Sequence, residues 1–204
     1  MNIYICGGSA VGKTTFCEYI SMKYNIPISP EVIRMETGWF FNKSLLHRET
    51  LFLLTQIYKE RSMDGYIFDR SILDVVCWMI DNHDANLYKY VNEHYVDENG
   101  VYIITPPENE EFVREHLNDY LTDPIRVKAL SDKLGFDIEQ DTDLFIEEYP
   151  KFAQFERESM RQMLVGKVKP VLVYYNVDSK ELKDYKWEAK AEVLIYKLFK
   201  GEDK

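Results

Sequence analysis

Gly7-Gly8-Ser9-Ala10-Val11-Gly12-Lys13-Thr14-Thr15 sets four residues between Gly7 and Gly12 and follows them with a lysine and two threonines. The run matches G-x-x-x-x-G-K-[ST]. Small residues at these places let backbone N–H groups turn inward around an anion, and a helix starting directly afterwards points its positive end at the same spot. Lys13 adds a point charge, and Thr14 offers a hydroxyl to a divalent cation bridging phosphates. The expected ligands are ATP and Mg²⁺, with every residue from Gly7 to Thr15 a candidate contact.

Two more places carry charge where a strand is expected to end. Glu31 follows Ile26-Pro27-Ile28-Ser29-Pro30 and stands three residues before Arg34. It is either half of a helical i,i+3 pair or a carboxylate at the open end of a parallel sheet, where such sheets bind ligands. Glu31 is therefore a candidate base toward an acceptor hydroxyl. Asp69 and Arg70 close the apolar run Tyr66-Ile67-Phe68. One charge can face a metal and the other an anionic or hydroxylic acceptor, so Thr14 and Asp69 are the candidate metal ligands and Arg70 a catalytic candidate beside Lys13. Ser71 and Asp74, three apart, read as a helix cap.

Alternation and helical spacing supply the elements that hold these groups. Strands are expected at Met1 to Cys6, Ile26 to Ser29, Gly65 to Asp69, Gly100 to Thr105 and Pro170 to Val177. Helices are expected from Lys13 to Tyr24, from Ser44 to Met63, after Arg70, from Asn86 to Tyr95, from Asp141 to Leu164 and from Trp187 to Phe199. Strands separated by helices predict an α/β fold, a three-layer parallel sheet with right-handed crossovers. Gly38 to Asn42 reads as an aromatic loop. Gln56 reads as a solvated helix position, and Arg157 with Arg161 as a solvated face paired to Glu156 and Glu158. The acidic stretch from Glu108 to Gln140 reads as a mobile helical lid within a single domain spanning 1–204. Arg114, its first arginine, ranks ahead of Arg126, Arg157 and Arg161 as the one that closes over phosphates.

The chain has 204 residues, 46% of them hydrophobic and 29% charged, and a formal net charge of −10. This suits one soluble domain and disfavours nucleic acid or an anionic membrane as partner. Cys6, Cys17 and Cys77 show no C-x-x-C spacing, which fits reduced thiols in the cytoplasm. The first strand starts within three residues of Met1, leaving no room for a signal peptide, and no apolar run is long enough to span a membrane. The oligomeric state stays open, with a homodimer among the allowed forms.

Gly7-x4-Gly12-Lys13-Thr14-Thr15, Glu31-x-x-Arg34 and Asp69-Arg70-Ser71-x-x-Asp74, in this order, resemble the nucleoside and nucleotide kinase branch of the phosphate-loop fold over about Met1 to Val177. The Lys-Thr-Thr ending and the Asp-Arg pair are similar to thymidylate kinases, where the pair contacts the acceptor nucleotide. The acid after strand two and the Arg-Ser after strand three are similar to deoxynucleoside kinases, where that acid is the base for the 5′-hydroxyl. The full combination most resembles small bacterial and phage proteins related to nicotinamide riboside kinases. The resemblance implies a five-stranded sheet of order 2-3-1-4-5 and an arginine-bearing lid after strand four. The chain departs from it in having Asp69 where deoxynucleoside kinases usually carry Glu, and in lacking an R-x-R lid motif.

Together these features predict ATP-dependent phosphoryl transfer to a small nucleoside or nucleoside monophosphate. One alternative is a kinase acting on hydroxyls of a polynucleotide, such as modified bases in phage DNA. Another is a regulatory module that binds ATP without turnover, against which the acids beside the loop speak.

Overall fold

The computed structural model of the chain describes residues 1–32, 45–166, 171–173 and 187–200. Arg34, the aromatic run 38–42 and most of the expected fifth strand beyond Val173 lie outside them. Five strands, β1 (Ile3–Cys6), β2 (Ile28–Ser29), β3 (Ile67–Asp69), β4 (Val101–Ile104) and β5 (Val171–Val173), form one sheet in the order β2-β3-β1-β4-β5. Every neighbouring pair is parallel, with Ile5 opposite both Asp69 and Ile103. The order is the one implied by the sequence resemblance.

Alternation along β1 explains the layers, since successive side chains of a strand point to opposite faces. Ile3 and Ile5 meet Phe16, Cys17 and Ile20 of α1 (Lys13–Tyr24) together with Trp187, Ala191 and Ile195 of α9 (Trp187–Lys200). Tyr4 and Cys6 face the other way, onto α3 (Ile72–Met79), α4 (Ala85–His94) and the end of α8 (Thr142–Met163). Leu53 and Ile57 of α2 (Leu45–Ser62) pack against that second layer. Ser71 and Asp74 form the reciprocal capping box expected of them at the start of α3.

The stretch after β4 is three helices, α5 (Glu110–Glu115), α6 (Leu117–Leu121) and α7 (Pro124–Leu134). Val113, Tyr120, Val127 and Leu130 share a third apolar cluster with Phe145, Ile146 and Tyr149 of α8. Among the described residues no helix is long and apolar enough to cross a membrane.

Several side chains sit otherwise than helical spacing suggests. Tyr19, Leu54, Tyr58 and Leu144 are exposed although they fall on apolar stripes, and Cys17 takes the buried place beside Phe16. Gln56 is 1% exposed, because it is hydrogen-bonded inside the cleft wall rather than to water. Arg157 and Glu156 are each 1% exposed, so the expected solvated face is in fact a buried ion network behind the phosphate loop. Only Arg161 keeps its surface pairing with Glu158.

Candidate active site

The phosphate loop bridges β1 and α1. Gly12 takes φ +79° and Ala10 φ +64°, left-handed conformations that coil the loop around its own amides. Gly12 caps α1 without any side-chain bond, and the first α1-side amide closed by the helix is that of Phe16, bonded to the Gly12 carbonyl at 2.9 Å. The amides of Lys13, Thr14 and Thr15 have no carbonyl within the helix, which is the usual condition of a helix start that binds anions.

The first part of the loop is committed differently. Gly7 N–H donates to Asp74 Oδ1 at 2.8 Å and Ser9 N–H to the Tyr149 hydroxyl at 2.9 Å. These two amides face protein groups, so the candidate anion donors are the amides later in the loop. Lys13 Nζ donates to the Gly8 carbonyl. Burial lowers the Lys13 pKa to about 8, helped by Arg70 and opposed by Asp69, Glu31 and Asp74.

Asp69, at the end of β3, lies 2% exposed and accepts a hydrogen bond from the Thr14 hydroxyl at 2.6 Å. Burial pushes its carboxyl up, and Glu31 adds to this, while Lys13 and the Thr14 bond pull it down. A hydroxyl and a carboxylate this close, both hard oxygen donors, fit Mg²⁺, which takes one or two protein oxygens and otherwise water and phosphate. Among the described residues no group of three or more His, Cys, Asp or Glu stands ready to bind a metal without phosphate.

Arg70 has φ +77°, which is rare for a residue with a side chain and persists only where surroundings hold it. Here the partners are several. Its Nε pairs with Glu31 and its Nη1 donates to the Gly7 carbonyl at 2.9 Å and approaches Asp74 at 3.4 Å. Its Nη2 reaches the Ser9 hydroxyl at 3.4 Å. Arg70 thus joins the acid after β2 to the phosphate loop. Glu31, with 15% of its side chain exposed, opens onto the cleft and meets Arg70 at the end of the neighbouring strand.

A cleft of about 540 Å³ starts at the loop and continues between α2 and α7. Lys13, Thr14, Glu31, Asp69 and Arg70 all line it. The sequence reading missed its far walls. Arg48 of α2 donates to Asp132 of α7 at 2.5 Å, joining the two sides. Gln56 donates to Glu60 at 2.7 Å and to the Arg70 carbonyl at 3.3 Å, and burial pushes the Glu60 carboxyl up to about 8. The available signal was a polar side chain inside an otherwise apolar helix. Arg126 lines the cleft, whereas Arg114 is exposed on α5 and is not part of the lining.

The parallel 2-3-1-4-5 sheet, with the glycine-lysine loop after β1 and an acid-arginine pair closing β3, is a fold shared with solved structures of phosphate-loop nucleoside kinases. No protein-family model and no curated protein sequence matches the chain. Among solved structures, deoxyadenosine kinase from M. mycoides with dCMP and dCDP superimposes with a TM-score of 0.56, at 20% identity over 98% of this chain and 99% of that one. The same enzyme with dATP gives 0.57, at 18% identity over 97% and 99%. The YorR protein of Bacillus subtilis, in complex with phosphorylated GDP, gives 0.57 at 10% identity over 100% and 99%. What these likenesses share with the chain is the fold.

Proposed function

We propose that this protein is an ATP-dependent kinase that phosphorylates a hydroxyl of an uncharged nucleoside. The observation that carries the reading is the charge arrangement of one continuous cleft. Lys13 and the amides at the start of α1 stand at the loop end, and Glu31 stands a short way along beside Arg70. Past the loop, each cation described in the lining already faces a carboxylate: Arg48 has Asp132, Arg70 has Glu31 and Asp74, Arg126 has Asp123, and Lys133 has Asp81. A dianionic monophosphate would have to displace one of those carboxylates, whereas a hydroxyl does not. The neighbours named deoxyadenosine kinase support a nucleoside as acceptor.

In this mechanism Lys13 and the amides of 13–15 hold the phosphates in line. Mg²⁺, when bound, neutralises charge on the phosphate oxygens. Thr14 and Asp69 would hold it. Glu31 takes the proton of the acceptor hydroxyl, and Arg70 keeps Glu31 oriented while bracing the Gly7 carbonyl. The helices after β4 would act as the lid, with Arg126, whose 4.0 Å contact to Asp123 is the loosest of these pairings, leaving that carboxylate to supply charge over the moving phosphoryl group in place of Arg114. Truncating Arg126 to alanine is expected to lower turnover by about a thousandfold with the melting temperature little changed. Arg114→Ala should leave turnover near wild type, and a reversed order of the two would return the role to Arg114.

The donor end makes a prediction about pH. Because the Lys13 ammonium loses its proton near pH 8 in the free protein, ATP binding needs an uptake of that proton at higher pH. The dissociation constant for ATP is therefore expected to rise by up to about tenfold per unit above pH 8 and to be level below it. Titration of ATP binding between about pH 7 and about pH 9.5 reads this directly. A level affinity across the whole range would contradict it, and Lys13→Ala should show no such rise.

A further inference from the structure

We propose that Tyr149 and Tyr120 are positioning residues that fix the Ser9 peptide of the phosphate loop and tie the loop to the helices walling the cleft, an inference that rests on the nucleotide-binding reading above. Both backbone groups of Ser9 end on a tyrosine. Its N–H donates to the Tyr149 hydroxyl at 2.9 Å, and its carbonyl accepts from the Tyr120 hydroxyl at 3.2 Å. The two rings meet edge to face at 5.1 Å, and neither residue is more than 1% exposed.

The direction of these bonds is set from behind. Tyr149 gives its proton to Glu108 Oε1 at 3.4 Å, which leaves a phenol lone pair for Ser9 N–H. The other Glu108 oxygen accepts from Arg157 Nη2 at 2.8 Å, and Arg157 is braced on the carbonyls of Thr105, Pro106 and Ala153. The loop lies directly on this network. A Cβ on Gly8 would stand 2.2 Å from Glu108 Oε1 and 2.8 Å from the Tyr149 hydroxyl, which explains a glycine there.

Tyr120 brings the second element. It belongs to α6, which leads through the cap Asp123 into α7, and α7 carries Arg126 and Asp132 into the cleft. A movement of α6 and α7 therefore pulls on the Ser9 carbonyl, and a loop set by bound phosphates holds those helices in place. The Ser9 peptide is the point where donor binding and the cleft wall meet.

Tyr149→Phe and Tyr120→Phe keep the rings and remove only the hydroxyls. Hydrogen exchange of segments 7–15 and 117–134, with and without ATP and Mg²⁺, is measured beside the KM for ATP, kcat and melting temperature. In the wild type both segments should gain protection from nucleotide. In Tyr120→Phe protection should persist at 7–15 and shrink at 117–134, while Tyr149→Phe should raise the KM for ATP about tenfold, since it strands a buried amide. Stranding that amide should also lower the melting temperature of Tyr149→Phe, by about 2 to 10 °C, with both variants still folded at the assay temperature. Wild-type KM and joint protection in both variants, with or without a lower melting temperature, would overturn the positioning role alone. A wild type without nucleotide-dependent protection at 7–15 would overturn the nucleotide reading and this inference with it.

Discussion

Lys13→Ala is expected to remove turnover to below about one part in a hundred and to weaken ATP binding, with the fold intact. Lys13 is 6% exposed, and its Nζ sits at the head of the cleft on the Gly8 carbonyl. In the proposed transfer its charge stands where negative charge grows, and losing one such contact typically costs about 3 kcal/mol or more. The fold does not depend on it. Burial already works against the ammonium, as the lowered pKa of about 8 records, so a neutral alanine relieves a desolvated charge. Asp69, whose carboxyl Lys13 helps to keep ionised, retains its bond from Thr14. Steady-state turnover and thermal melting of the variant together check this. Near-normal ATP consumption in a folded Lys13→Ala protein would mean that the loop does not hold the donor.

The second large effect separates the two acids. Asp69→Asn and Glu31→Gln should each lower turnover on a nucleoside by at least about a hundredfold, the lower range for lost acid or base help. The causes differ. Asp69 stands beside Thr14, so its loss should raise the Mg²⁺ concentration needed for half-maximal rate as well as lower the rate. Glu31 stands beside Arg70 toward the acceptor, so its loss should leave ATP and Mg²⁺ binding unchanged and steepen the dependence of rate on pH. An acceptor that is already a phosphate anion needs no base. A small Glu31→Gln effect beside a large Asp69→Asn effect would therefore assign a monophosphate acceptor and overturn the choice of an uncharged one.

The phosphate-loop end of the cleft was legible because its geometry is local in sequence. Gly7 to Thr15 is one loop, its flanking strand and helix announce themselves by spacing, and capping at Ser71 and Asp74 needs only three residues. Asp69 and Arg70 were legible for a related reason, as charges closing an apolar strand. The far wall of the cleft was not, because Arg48 and Asp132 lie 84 residues apart and meet only when α2 and α7 face each other. Arg157 and Glu156 misled for the opposite reason: their helical neighbours are charged, and nothing local says that Glu108, 49 residues away, draws Arg157 inward. Tyr19, Leu54 and Tyr58 carry the same lesson, since an apolar residue on a stripe is buried only where a neighbour covers it.

The central claim is the transfer itself, and one incubation tests it most directly. The protein is mixed with ATP, Mg²⁺ and two pools, one of nucleosides including nicotinamide riboside and one of nucleoside monophosphates, and each pool is followed by mass spectrometry. The account predicts the mass of one phosphoryl group gained by a member of the nucleoside pool, with equivalent loss of ATP, and no gain in Lys13→Ala. Phosphate gained only in the monophosphate pool, or ATP bound with no gain in either, would contradict it.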